Sequence, residues 1–264
     1  MTRRLLDGIY AKYNRREFVH PDPLEFLYLF EDPADREVVG LVASALAYGR
    51  VKQILASVAD ALERIGPSPA RFVANSSRGK IEKSFLGFRH RFTSGEEMAC
   101  LLAGAGASIR RHGSLGKLFS SGVGRSDDTV LPAMGRFVSE LSEAGCLKGL
   151  LPHPEAGSAC KRLNMYLRWM VRKDEVDPGG WKGVRREKLV VPLDTHLFKI
   201  GRALCFTRRK AADLKAAIEI TASFSKIAPE DPVRYDFALT RFGIRQEADM
   251  GAFLKSLANH VKIR

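Results

Sequence analysis

The chain is poor in cysteine. Four occur among 264 residues, Cys100, Cys146, Cys160 and Cys205, with 45, 13 and 44 residues between them and no CxxC pair. That spacing excludes a disulfide scaffold and the compact ligand patterns of zinc and iron–sulfur sites, and it fits a reducing compartment. The six histidines, His20, His90, His112, His153, His196 and His260, stand singly, so no metal or other cofactor is expected. No apolar run approaches the roughly eighteen residues needed to cross a bilayer. Charge interrupts the opening MTRRLLDGIYAKYNRREF every few positions, which denies it a signal-peptide core. A soluble, cytoplasmic protein without membrane contact is expected. Sustained period-two alternation is also missing, and Gly104-Ala105-Gly106 lacks the Gly-Lys-Ser/Thr that a phosphate loop needs.

What the chain has in excess is positive charge. Forty-three Lys or Arg against thirty Asp or Glu leave a formal +13. Such an excess favours a polyanionic partner, since each basic side chain near a phosphate releases a condensed counterion, although it also serves solubility. At 45% hydrophobic residues the chain can fill the core of one large domain, or of two sharing a cleft.

Helical periodicity runs through most of the sequence. Leu5, Leu6, Ile9, Tyr10 and Tyr13 form an apolar stripe over 2–15, and Asp22-Pro23 and Asp32-Pro33 are helix-start signals. The second leads into Val38, Val39, Leu41, Val42, Ala45 and Leu46, read as a buried helix at the centre of a bundle. Gly49 breaks that series, and a helix over 52–64 ends at Gly66-Pro67. Residues 76–87 are mixed, basic and without assigned structure, after which Thr93 to Glu96 has capping-box spacing for a helix to Arg111. Gly104 and Gly106 inside it are expected to permit close helix contact. Residues 113–129 are expected to form an irregular loop or short helix pair, followed by helices over 131–141, 161–172, 211–223, 232–242 and 246–261. Leu189 to Leu193 has strand propensity, but Pro192 favours a connector into a helix capped by Asp194 or Thr195. The fold class is therefore all-α.

Residues 157–202 carry the most chemistry. Lys161, Arg162, Arg168, Arg172 and Lys173 lie on one helix among Leu163, Met165, Tyr166, Leu167, Trp169 and Met170. This is either a core helix whose charged tips reach solvent or a helix whose amino end faces a phosphate. Asp194 is plainly an N-cap. Beside a lysine, the same carboxylate can support developing positive charge while an amine such as that of Lys161 serves as nucleophile.

The blocks GSACKRLNMYLRWMVR and VVPLDTHLFKIGRAL resemble the signature of the helix-hairpin-helix DNA glycosylases. The whole chain resembles a bacterial family of uncharacterised proteins of similar length, usually placed as distant relatives of that superfamily. The step of 33 residues from Lys161 to Asp194 is similar to that of the archaeal 8-oxoguanine glycosylases, with 174–188 as the insertion. The resemblance implies a glycosylase-like fold with two helical lobes around a cleft, 35–151 as one and 1–34 plus 152–264 as the other. It implies double-stranded DNA as partner and excision of a damaged base with strand cleavage, an N-glycosylase/lyase activity. Asp194 takes the place of the catalytic aspartate and Lys161 that of the lysine, although counting back from Met170 puts Arg162 there instead. Gly49, Arg50 and Gln53 fall near the flipped base or its gap. Arg50, Gln53, Arg162, Arg168, His196 and Lys199 are the expected nucleic-acid contacts. Tyr48, Phe88, Trp169, Trp181 and Phe198 are the candidate pocket or wedge aromatics. Only Gly157 precedes the lysine where a Gly-x-Gly hairpin belongs, so the anion-binding loop is altered or absent. Two other readings stay open: a nucleic-acid-binding module on this scaffold without catalysis, and a basic helical protein with no polynucleotide partner.

Overall fold

Asp32 accepts a hydrogen bond from the Ala34 amide at 2.8 Å, Pro33 supplies a preset φ, and the helix that follows, α2 (Pro33–Ala45), is buried from Glu37 to Ala45. With no polar face, it can only be a central helix. The computed structural model describes residues 2–145, 147 and 149–244. Among these, twelve α-helices and one minimal hairpin are found: α1 (Thr2–Tyr13), α2, α3 (Val51–Ile65), α4 (Pro69–Asn75), α5 (Arg78–Ser84), β1 (Arg89–His90), β2 (Thr93–Ser94), α6 (Gly95–His112), α7 (Leu115–Ser121), α8 (Leu131–Ser142), α9 (Lys161–Val171), α10 (Thr195–Ala203), α11 (Leu214–Ser225) and α12 (Asp236–Ile244). Short 3-10 turns lie at Pro23–Leu29 and Pro154–Ala156. The helix expected over 246–261, with His260, lies outside the described residues. No described helix is long and apolar enough to cross a membrane.

The all-α expectation holds, with several differences in detail. The capping box sits one residue later than expected: Ser94 accepts from the Glu97 amide, and Glu97 accepts from the Ser94 amide. Thr93 is instead paired with His90 in the hairpin. Residues 69–75 and 78–84 form α4 and α5 where no helix is expected, and α12 starts at Asp236 rather than Pro232. Leu189 to Leu193 is a buried connector, not a strand, and Asp194 rather than Thr195 caps α10.

Helix α9 packs against α2. A Cβ on Gly40 would stand 3.1 Å from the Tyr166 ring and 3.3 Å from the end of Met170, so the backbone of α2 approaches α9 closely. The Tyr166 hydroxyl donates to the Glu37 carbonyl at 3.0 Å. The Glu37 carboxylate accepts from the Leu115 and Gly116 amides at 2.8 and 3.2 Å, which caps α7 from within the core. Burial pushes the Glu37 carboxyl above its usual range while those donors oppose it.

Behind α9 lies a buried ionic cluster. Arg168 pairs with Asp177 at 3.1 Å and with Asp236, and Arg172 pairs with Asp177, with Asp231 at 3.0 Å and with Asp174 at 2.9 Å. Burial pulls both guanidiniums down, but the facing carboxylates more than offset it and hold them above their usual range. The cluster ties 174–177 and 231–236 to one helix. Removing one partner strands the others in low dielectric, so Arg172→Met is expected to cost about 3–5 kcal/mol, lowering Tm by on the order of 10 °C. Gly104 has a similar role in packing: a Cβ there would collide with the Leu141 carbonyl oxygen at the α6–α8 crossing. Gly104→Ala is expected to lower Tm by roughly 4–8 °C in a thermal melt, against little change for Gly8→Ala, where nothing stands nearby.

Candidate active site

The connector that delivers Asp194 is apolar and buried, so the first side chain able to leave the interior is the carboxylate itself. Its two oxygens are divided. Oδ1 accepts the Leu197 amide at 2.8 Å, capping α10, and Oδ2 lies 3.8 Å from Lys161 Nζ at the first residue of α9. The lysine side chain is 40% exposed and the aspartate 17%, so solvent reaches both. They face a cleft of about 690 Å³ whose other walls include Asp22, Tyr48, Gly49, Met165 and His196.

Three groups around the turn into α9 are chemically capable, and their surroundings separate them. Cys160 holds a left-handed φ of 46°, is buried, and directs its thiol to the Pro152 carbonyl at 3.4 Å. Burial pushes that thiol up to about 11, so it stays protonated and unreactive near neutral pH. Arg162 donates to the Ala45 and Gly149 carbonyls, each at 2.6 Å, with its guanidinium 4.9 Å from the Tyr48 ring centroid. It is a clasp between two segments, and its side chain also lines the cleft. Burial pulls it down, opposed by Tyr48 and Cys160. Lys161 alone of the three presents an amine to the cleft beside a carboxylate.

Of the other expected contacts, Arg168 lies in the buried ionic cluster and is closed to any ligand. His196 lines the cleft, Lys199 is exposed on α10, and Arg50 and Gln53 are exposed at the start of α3, where Gly49 and Val51 on either side of Arg50 are cleft residues. Among the aromatics, Tyr48 lines the cleft. Phe198 is half-buried and packed on the core. Phe88 and Trp169 are buried core residues, 3% and 0% exposed, and cannot act as pocket or wedge groups; Trp181 is likewise buried. Among the described residues no three His, Cys, Asp or Glu side chains gather as metal ligands.

Two features have little sequence signal. Asp22 is a second carboxylate in the cleft wall, but it accepts from the Leu24 amide at 2.9 Å and from Arg241 at 2.5 Å, so its charge is engaged. The hairpin β1–β2 is fastened to the cleft through Tyr48. The Tyr48 hydroxyl donates to the His90 carbonyl at 2.9 Å and meets the Thr93 hydroxyl at 2.8 Å, which therefore donates in return. His90 Nε2 lies 3.0 Å from the Tyr48 carbonyl, which can only accept, so Nδ1 accepts from Ser57 at 2.8 Å. A Cβ on Gly49, whose φ is +102°, would sit 2.7 Å from Arg91 Cδ, so the hairpin closes over a position suited to glycine.

Burial holds the His90 imidazole below its ordinary value, with the nearby Arg91 charge acting in the same direction and the Tyr48 carbonyl against it. The unfolded chain therefore takes up this proton before the folded one does. Stability is complete above the unfolded value of about 6.5 and declines as pH falls through it, by up to about 1.4 kcal/mol per pH unit. Denaturant titrations between about pH 7.5 and pH 5 are expected to show a shallower decline for His90→Asn than for the parent chain.

No curated protein matches this chain, and no solved structure does. Residues 22–245 match the family described as protein of unknown function (DUF2400). That stretch begins at the cleft carboxylate Asp22 and takes in Lys161, Asp194 and the hairpin fastened to Tyr48. The chain belongs to that family.

Proposed function

We propose that this protein is a DNA-binding N-glycosylase with lyase activity, built on a variant of the helix-hairpin-helix glycosylase architecture. The observation that carries the reading is the 3.8 Å approach of Lys161 Nζ to Asp194 Oδ2 at the wall of a solvent-reached cleft. The cleft draws Ala47, Tyr48, Gly49, Val51 and Ile54 from the 35–151 stretch, and its remaining lining from 21–23 and from 152 onwards, which agrees with two lobes around it. The formal +13 supplies the attraction for phosphates.

In this reading a nucleotide turned out of the duplex brings its C1′ to Lys161. A proton passes from Nζ to Asp194 Oδ2, and the freed amine pair attacks C1′. The glycosidic C–N bond breaks with its electrons leaving on the base, which takes up the proton held by Asp194, and the regenerated carboxylate stabilises the ammonium now carried on C1′. That ammonium returns one proton to Asp194; the nitrogen pair then forms the C1′=N bond of a Schiff base as the C1′–O4′ bond breaks and O4′ takes the proton, and strand cleavage follows by elimination. Cys160 and Arg162 take no part, one as an inert thiol and the other as a clasp. A guanidinium in place of the amine has no electron pair to offer.

Borohydride trapping on a panel of lesion-bearing oligonucleotides tests this directly. The parent chain is expected to give a covalent adduct, Lys161→Ala none, and Asp194→Asn at least about a hundredfold less. An adduct that survives Lys161→Ala overturns the lysine assignment. Salt-dependent duplex binding without any adduct makes the protein a binding module, and binding unchanged from low to moderate salt overturns the polyanion reading altogether.

A further inference from the structure

The most exposed large apolar side chain among the described residues is Phe92, at 82%. It is not on a loose loop. It forms, with Arg91, the two-residue tip of the β1–β2 hairpin, whose pairs are Arg89 with Ser94 and His90 with Thr93. Arg91 has φ +51°, the left-handed backbone that a tight two-residue turn demands and that a non-glycine residue adopts at a cost. The base of the hairpin is fixed by the buried Phe88 and by the Tyr48, His90, Thr93 and Ser57 hydrogen bonds. A rigid support therefore holds an aromatic ring out in water, where leaving it bare brings no stability to the isolated chain.

The tip has a defined position relative to the cleft. The Arg91 guanidinium is 5.9 Å from the ring centroid of Tyr48, a cleft residue, and 5.5 Å from that of Phe92. Its side chain lies against Gly49, also in the cleft wall. Val51, another of the exposed apolar side chains, lines the same cleft. The exposed charges on the hairpin itself are both positive, Arg89 and Arg91, and Arg50 and Lys52 are exposed at the start of α3, the helix that contacts β1. The nearest acids along the chain, Glu96 and Glu97, lie in the first turn of α6, and Glu97 is engaged in the capping box. An aromatic face framed by cations beside a pocket matches one ligand chemistry, stacked bases carried on a phosphate backbone.

We propose that the Arg91–Phe92 tip is a wedge for duplex DNA, with Phe92 entering the base stack beside the nucleotide drawn into the cleft and Arg89 and Arg91 holding the flanking phosphates. This rests on the reading of the cleft as a nucleotide site. When one nucleotide turns out of the duplex, its neighbours need a new stacking surface. An aromatic ring mounted firmly at the rim provides that surface where a flexible one does not.

The test uses the full chain and a duplex carrying a tetrahydrofuran abasic analogue next to a 2-aminopurine. The parent protein is expected to change the 2-aminopurine fluorescence on binding. Phe92→Ala is expected to lose most of that change and roughly tenfold in affinity for this duplex, while its affinity for an intact duplex, set by phosphates, stays within about threefold. Phe92→Trp is expected to restore both. Since position 92 is exposed, these variants leave the core untouched, and circular dichroism checks that they do. If Phe92→Ala matches the parent in fluorescence and affinity, or alters only self-association seen by light scattering, the wedge is overturned while the cleft reading stands. If the parent binds no duplex, both fall.

Discussion

The position of Lys161 depends on one constraint, the way α9 is pinned along its length. At its start, Arg162 reaches the carbonyls of Ala45 and Gly149. At its middle, the Tyr166 ring sits against Gly40. At its end, Arg168 and Arg172 are sunk in carboxylates contributed by 174–177 and 231–236. A helix fixed at three levels has little freedom to rotate or slide, so the residue at its first position points one way. The chemistry proposed for the cleft needs that, because an amine displaced by an ångström no longer meets its carboxylate or its target carbon.

Charge is used differently on the two faces of α9. The buried side takes guanidiniums, which keep their proton in low dielectric and satisfy several acceptors at once. The cleft side takes a lysine, whose amine can give up a proton and attack. A helix that reads as a uniform row of basic residues thus divides into a half that holds the fold and a half that the proposed chemistry uses.

Much of the helical framework was legible in the sequence because long amphipathic stretches and side-chain caps are local signals. Asp32 and Asp194 each sit at the residue before a helix and accept from its first turn, as their spacing implied, whereas Asp213, inside the helix expected over 211–223, caps α11 from outside it. Shorter or overlapping signals were harder to read. The run Thr93-Ser94-Gly95-Glu96-Glu97 offers two capping frames, and only the pairing of Thr93 with Tyr48 and His90 selects the second. Helices α4 and α5, seven residues each, bury too few apolar side chains to show a period. The burial of Arg168 was illegible for another reason: its partner Asp236 is 68 residues away, and nothing local marks a guanidinium as paired. Phe88 and Phe92 carry the same side chain, and the difference between core and solvent is made by a minimal hairpin that has no periodicity at all.

The divided oxygens of Asp194 separate persistence from chemistry. Asparagine keeps an oxygen where α10 needs one, since it caps helices as well as aspartate does, and it discards only the negative charge facing Lys161. If the proposed chemistry holds, a descendant of this chain falls silent by exchanging a single oxygen for nitrogen while its helices stay where they are. In such a lineage, an unchanged outline says nothing about whether the chemistry survives, and one atom carries the distinction.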